Sequence, residues 1–108
     1  MESGDVMAML TKEQARRQVE ARMRAFDHEL PKGDAWVLID ASTIERPWGW
    51  VFFHTSRRWR ETGDVGYAIA GNAPLLVERD TGRVLTTGTA RPIEKYIEAY
   101  ERTGDPHG

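Results

Sequence analysis

The stretch Trp48-Gly49-Trp50-Val51-Phe52-Phe53-His54-Thr55 decides the fold. At period two, Trp48, Trp50, Phe52 and His54 share one face of a strand, and Val51, Phe53 and Thr55 share the other. Apolar residues on both faces predict a central strand, or a strand with one face awaiting a partner. Just upstream, Trp36-Val37-Leu38-Ile39 is a shorter β-prone run. Asp40 to Pro47 is polar and turn-like, with Ile44 a candidate extension of the first strand. Downstream, Leu75-Leu76-Val77-Glu78 and Val84-Leu85-Thr86-Thr87 are a third and a fourth strand. Arg79-Asp80-Thr81-Gly82-Arg83 joins them as a hairpin, with Gly82 suited to positive φ.

Helices flank this strand-rich centre. Thr11-Lys12-Glu13-Gln14 has the form of a capping box. Ala15, Val19, Met23, Phe26 and Leu30 then draw one apolar stripe at helical spacing, and Pro31 and Gly33 end it. At the other end, Pro92 fits the first turn of a final helix. Ile93, Tyr96, Ile97 and Tyr100 lie at i, i+3, i+4 and i+7, and Gly104 is a natural stop. The expectation is an α+β fold of order α-β-β-β-β-α. An antiparallel four-stranded sheet carries the N-terminal and the C-terminal helix, with helix packed on one face. Residues 1–10 are expected to be a flexible lead-in, 11–103 one domain, and 104–108 a frayed tail.

The chain has 108 residues, enough for one modest core. Apolar residues make up 40% and charged residues 30%, a globular and not a disordered balance. A net charge of -2 gives no support for a nucleic-acid partner. The absence of cysteine removes disulfides, thiolate metal sites and cysteine nucleophiles together, and favours a reducing compartment. No apolar run approaches the roughly 20 residues that span a bilayer, and the acidic start does not read as a signal peptide. The expectation is a cytoplasmic protein with no membrane partner.

Catalytic chemistry finds no foothold. His28, His54 and His107 lack metal-ligand spacing, and His54, beside aromatic residues, is the best placed of them. Asp40, Glu45, Glu61, Asp64, Glu78 and Asp80 stand in no acid/base arrangement and read as solvated loop charges. Ser3, Ser42 and Ser56 lack a nucleophile elbow, and the glycines form no phosphate loop. The sequence therefore predicts no enzyme, no catalytic residue, no metal and no cofactor. Binding is better supported. Arg57-Arg58-Trp59-Arg60 is a basic cluster around an aromatic, a pattern that stacks bases or anchors a protein interface, though Glu61 and Asp64 offset its charge. Four tryptophans are many for this length. Trp36 and Trp50 are expected in the core, with Trp48 or Trp59 partly exposed. Trp48, Arg57, Arg58, Trp59, Glu61, Asp64 and Tyr67 are thus the candidate partner-binding residues. A homodimer through a sheet edge or an exposed tryptophan is also compatible with the pattern.

An ordered set of short motifs runs through the second half: Trp50-Val51-Phe52-Phe53, Glu61-Thr62-Gly63-Asp64, Ala70-Gly71-Asn72-Ala73-Pro74, Asp80-Thr81-Gly82, and Gly88-Thr89-Ala90-Arg91-Pro92-Ile93-Glu94, closed by Tyr96 to Glu101. The succession resembles the YrhB domain family, also catalogued as a bacterial immunity protein family of polymorphic toxin systems, the thirty-fifth of its series. The resemblance is strong from Trp48 to Glu101. It implies an α+β domain that protects its own cell by binding a cognate toxin protein. The same residues have structural uses: Trp50 and Phe52 in the central strand; Gly71, Asn72 and Pro74 in the turn entering the third strand; Asp80 and Gly82 in the hairpin; Gly88, Thr89 and Pro92 in the turn into the last helix. The competing reading is a small chaperone-like protein that holds unfolded clients through exposed aromatics.

Overall fold

The computed structural model describes residues 9–63 and 73–108. Its first helix, α1 (Lys12–Arg24), starts at the expected capping box. The Thr11 hydroxyl accepts from the Gln14 amide at 3.1 Å, and Gln14 Oε1 accepts from the Thr11 amide at 2.9 Å. Two of the helix's orphan amides are satisfied in this way. Ala15, Val19 and Met23 form its buried stripe. The stripe does not continue to Phe26 as the spacing predicts. The helix ends at Ala25, Phe26 is non-helical, and a tighter turn follows at Asp27–Glu29. Phe26 is therefore turned outward and 44% exposed, while Leu30 returns to the core.

Next comes a bent hairpin. Strands β1 (Trp36–Leu38) and β2 (Ile44–Arg46) run out, and β3 (Gly49–Phe52) and β4 (His54–Ser56) run back. Leu38 pairs with His54, and Ile44 with Val51. Between those pairs the outgoing arm has five residues, Ile39 to Thr43, and the returning arm has two, Phe52 and Phe53. The Asp40–Ser42 turn absorbs the excess, and one hydrogen bond from the Ile39 amide to the Phe53 carbonyl (2.8 Å) bridges the bend. A bulge of this kind bends and twists the strand that carries it. The single strand expected from Trp48 to Thr55 is thus two strands, one in each of two sheets. β1 and β4 form a two-stranded sheet, while β2, β3, β5 (Leu75–Glu78) and β6 (Val84–Thr86) form the antiparallel four-stranded one, in that order.

The four-stranded sheet is covered on both faces, not on one. Trp50, Phe52, Leu75 and Val77 point to one side and pack with Ala15, Val19 and Met23 of α1, together with Leu30, Trp36 and Leu38. Their alternates Val51 and Leu76 point to the other side, against Ile97 of the C-terminal helix α3 (Ile93–Thr103). Ile44, Trp48, Phe53, Leu85, Ile93 and Tyr100 complete that second cluster. This sandwich explains why every residue of β3 and β5 is buried. At the start of β3, Gly49 has φ 151, and a Cβ there would lie 1.9 Å from the Val77 carbonyl oxygen, so only glycine fits.

Leu10, assigned to the lead-in, donates its amide to the Arg79 carbonyl (2.7 Å) and packs against the first cluster. At the other end the chain turns back after Gly104. Pro106 is buried, and His107 lies edge-on to Tyr96 with ring centroids 5.6 Å apart.

Candidate partner-binding surfaces

The arginine-rich segment folds as a short helix, α2 (Arg57–Thr62). Ser56 caps it by accepting from the Trp59 amide (3.2 Å), and Gly63 closes it in the left-handed conformation. The Ser56 hydroxyl in turn donates to Asp34. Burial pushes the Asp34 carboxyl up, but hydrogen bonds from Ser56 and from the Ala35 and Arg58 amides outweigh it and hold the group below its ordinary value.

This anchoring redirects the basic cluster. Arg57 donates to the Gly33 carbonyl, and Arg60 to the Leu38 carbonyl at 2.9 Å. The Arg58 guanidinium lies against Gly33, where a Cβ would come within 2.6 Å of it. These side chains fasten α2 to the stretch around β1, and so have less to offer a phosphate backbone. Trp59 is half-buried, and Glu61 is exposed. Asp64 and Tyr67, the other members of this candidate patch, lie outside the described residues.

Trp48 belongs elsewhere. It sits in the β2–β3 turn with its ring 4.7 Å from that of Tyr100, and its Nε1 donates to Glu101 at 2.9 Å. Its face is that of α3, opposite to Trp50 and Phe52. Period two fails at Trp48 because the residue is in a turn and not in the strand. Beside it stands a polar network that the sequence reading took for a solvated charge. Glu78 is buried at the end of β5 and accepts from Arg83 (3.0 and 3.2 Å), Thr81 (2.6 Å) and Tyr100 (2.7 Å). The hydrogen bond from Arg83 outweighs burial, and with those from Thr81 and Tyr100 it lowers the carboxyl to about 2. Burial, helped by the bond to Glu78, raises the Tyr100 phenol to about 12. Asp40 is paired too, with both oxygens on Arg16 at 2.9 and 3.0 Å.

A third feature was missed. Phe26, Met23, Trp36, His54 and Leu75 line a groove of about 200 Å³, with Arg22 and Glu29 also on its wall. Trp36 and His54 meet edge to face, 4.9 Å between centroids. Burial lowers the His54 pKa, which favours the neutral ring. The sequence signal for this groove was the outward turn of Phe26, and only the early end of α1 reveals it. Among the described residues no group of three His, Asp or Glu side chains is placed to hold a metal, and no helix is long and apolar enough to cross a membrane.

Comparison with known proteins adds what geometry leaves open. The model of the family described as immunity protein 35 matches residues 13–103. The chain belongs to that family. It is also 43% identical over 53 residues to the uncharacterized protein YrhB of Escherichia coli (strain K12). That match covers 49% of this chain and 56% of YrhB, so the chain spans about half the length of the relative it matches. No solved structure matches it.

The motifs behind the family resemblance fall mostly at turns. The Pro74 carbonyl accepts from the Thr87 amide (3.0 Å) and hydroxyl (2.6 Å). Gly88 faces Tyr96, whose phenol oxygen would be 2.4 Å from any Cβ placed there. Gly82 has φ 75, but the side chain that braces this hairpin is Thr81, which donates to Glu78 and accepts from the Arg83 amide at 3.0 Å. Asp80 and Thr89 are exposed. Pro92 is the N-cap of α3, one place before the first-turn position expected. Gly71 and Asn72 lie outside the described residues.

Proposed function

We propose that this chain is an inhibitor of a bacterial toxin, acting in the cytoplasm as a non-enzyme that binds one cognate toxin domain by direct contact. The observation that carries the reading is the family match over residues 13–103. The surface proposed for contact is the α2 region, with the half-buried Trp59 and the exposed Glu61 on it and Asp64 and Tyr67 following in the chain. Arg57 and Arg58 support it from behind, and Trp48 stands as a separate candidate on the α3 face. An interface of ordinary size covers roughly 800 Å² on each partner, a large share of so small a domain.

The client-holding alternative draws less support. Among the described residues the exposed large hydrophobics are Met9 and Phe26 alone, a small surface for promiscuous capture. The test is co-expression with the product of the neighbouring gene. The expected outcome is a product that is toxic alone, harmless with this chain, and recovered with it as an equimolar complex. A harmless neighbour, or a toxin still lethal beside this chain, would defeat the proposal.

A further inference from the structure

Among the described residues the four-stranded sheet ends in β2 on one side and β6 on the other. Exposed sheet edges invite another strand, and proteins block them by identifiable means. At β2 the hydrogen-bonded pairs Ile44–Val51 and Arg46–Gly49 leave Glu45 facing outward. Its carbonyl accepts from the Arg46 guanidinium at 3.2 Å. Pro47, which follows, has no amide to offer, and its carbonyl is taken by Arg79 at 3.1 Å.

The β6 edge is built differently. The Glu78 amide donates to the Arg83 carbonyl (2.9 Å) and the Thr87 amide to the Pro74 carbonyl (3.0 Å). Residues 83, 85 and 87 therefore turn their backbone groups toward β5, and Val84 and Thr86 turn theirs away from it. Those outward groups are self-complementary. If two β6 strands meet antiparallel about Leu85, Val84 faces the other chain's Thr86 and four backbone hydrogen bonds close. No like charges stand directly opposite, because Arg83 faces Thr87. Leu85 meets its own copy beside the cluster of Val51, Leu76 and Ile97.

In this structure the C-terminal segment reaches one of those outward groups, the Thr86 carbonyl, through the His107 side chain. After Gly104 the chain turns back, with the Asp105 amide on the Thr103 hydroxyl (3.1 Å) and the His107 amide on Asp105 Oδ1 (2.8 Å). Nε2 of His107 then donates to the outward carbonyl of Thr86 at 3.0 Å. The imidazole edge on Tyr96 and the buried Pro106 hold the segment down.

We propose that residues 105–108 are a strap that blocks self-association through β6: closed, it keeps the chain single; displaced, it lets two copies join β6 to β6 about a two-fold axis at Leu85. The proposal is independent of what the chain inhibits. It is tested by sedimentation over a concentration series on three proteins, each checked for folding by circular dichroism: the full chain, the chain ended at Gly104, and the ended chain carrying Thr86→Pro. Thr86→Pro removes an outward amide and no bond to β5, so it spares the sheet and breaks only the new pairing. The expected result is one copy for the full chain, two for the ended chain, and one again with Thr86→Pro. Slowed hydrogen exchange at the Val84 and Thr86 amides should accompany the doubling. A full chain that is already a dimer, an ended chain that folds and stays single, or a dimer indifferent to Thr86→Pro overturns the proposal. If the ended chain does not fold, the full-length His107→Ala chain decides. Concentration-dependent doubling supports the strap, and a single copy at every concentration overturns it.

Discussion

Glu78 is a carboxylate that folding has moved out of water and surrounded with donors. Its carboxyl drops from 4.5 to about 2, so the unfolded chain binds a proton more readily than the folded one in that range. The stabilisation is fully present above about pH 4.5 and is lost as the pH falls toward 2. Arg83 is open to water, which screens the pair, so only part of that stabilisation survives. Glu78→Gln should lower the midpoint of thermal unfolding at pH 7 and leave the variant with a flatter response between pH 5 and 2.5 than the parent. Equal acid sensitivity in the two proteins would remove Glu78 from the account. Gly49→Ala acts through sterics instead: its Cβ collides with the Val77 carbonyl where β3 meets β5. A loss above about 4 kcal/mol is expected, enough to abolish soluble expression. A Gly49→Ala protein with a near-normal denaturant midpoint would refute that geometry.

At the scale of elements, α1 was the most legible part of the sequence because its start is chemical and its stripe periodic. Thr11→Ala should cost about 1 kcal/mol in urea unfolding, since it strips the cap from an exposed helix end. An unchanged midpoint would mean that the cap is idle. The break between β3 and β4 was not legible. Phe53 continues the alternation, and the excess that bends the hairpin lies in the other arm, where Ile39 to Thr43 outnumber their partners. Helix α2 was hidden because six residues carry too little periodicity to outweigh their charge; what specifies it is Ser56 before and Gly63 after. The candidate binding residues were chosen by composition, which says nothing of their placement, and the chain sets Trp48 against α3 and Trp59 on α2. The two tryptophans should separate by experiment. Trp48→Ala removes a ring packed on Tyr100 and should lower stability by about 2–4 kcal/mol. Trp59→Ala should leave the unfolding midpoint nearly in place while weakening toxin binding about tenfold or more, read by calorimetric titration. Full affinity in a folded Trp59→Ala protein would withdraw α2 from the proposed interface.

For the molecule as a whole, the question is whether two apolar clusters make one folding unit or two. They lie on opposite faces of the same two strands. Trp50, Phe52, Leu75 and Val77 serve one cluster, while Val51 and Leu76, interleaved with them in the chain, serve the other. Neither cluster can be lost without releasing backbone that the other needs, because residues that alternate along a strand cannot unfold separately. The Glu78 network reinforces this by tying Tyr100 of α3 to the β5–β6 hairpin. The expected behaviour is a single cooperative transition. Phe52→Ala in the α1 cluster should destabilise by about 3–5 kcal/mol and Leu76→Ala in the α3 cluster by about 2–5 kcal/mol, each shifting the same transition and not creating a second. Tryptophan fluorescence and far-ultraviolet circular dichroism should give coincident curves in denaturant, although Trp50 reports on one face and Trp48 on the other. Two separated transitions, one moved only by Phe52→Ala and the other only by Leu76→Ala, would show that the helices fold onto the sheet independently.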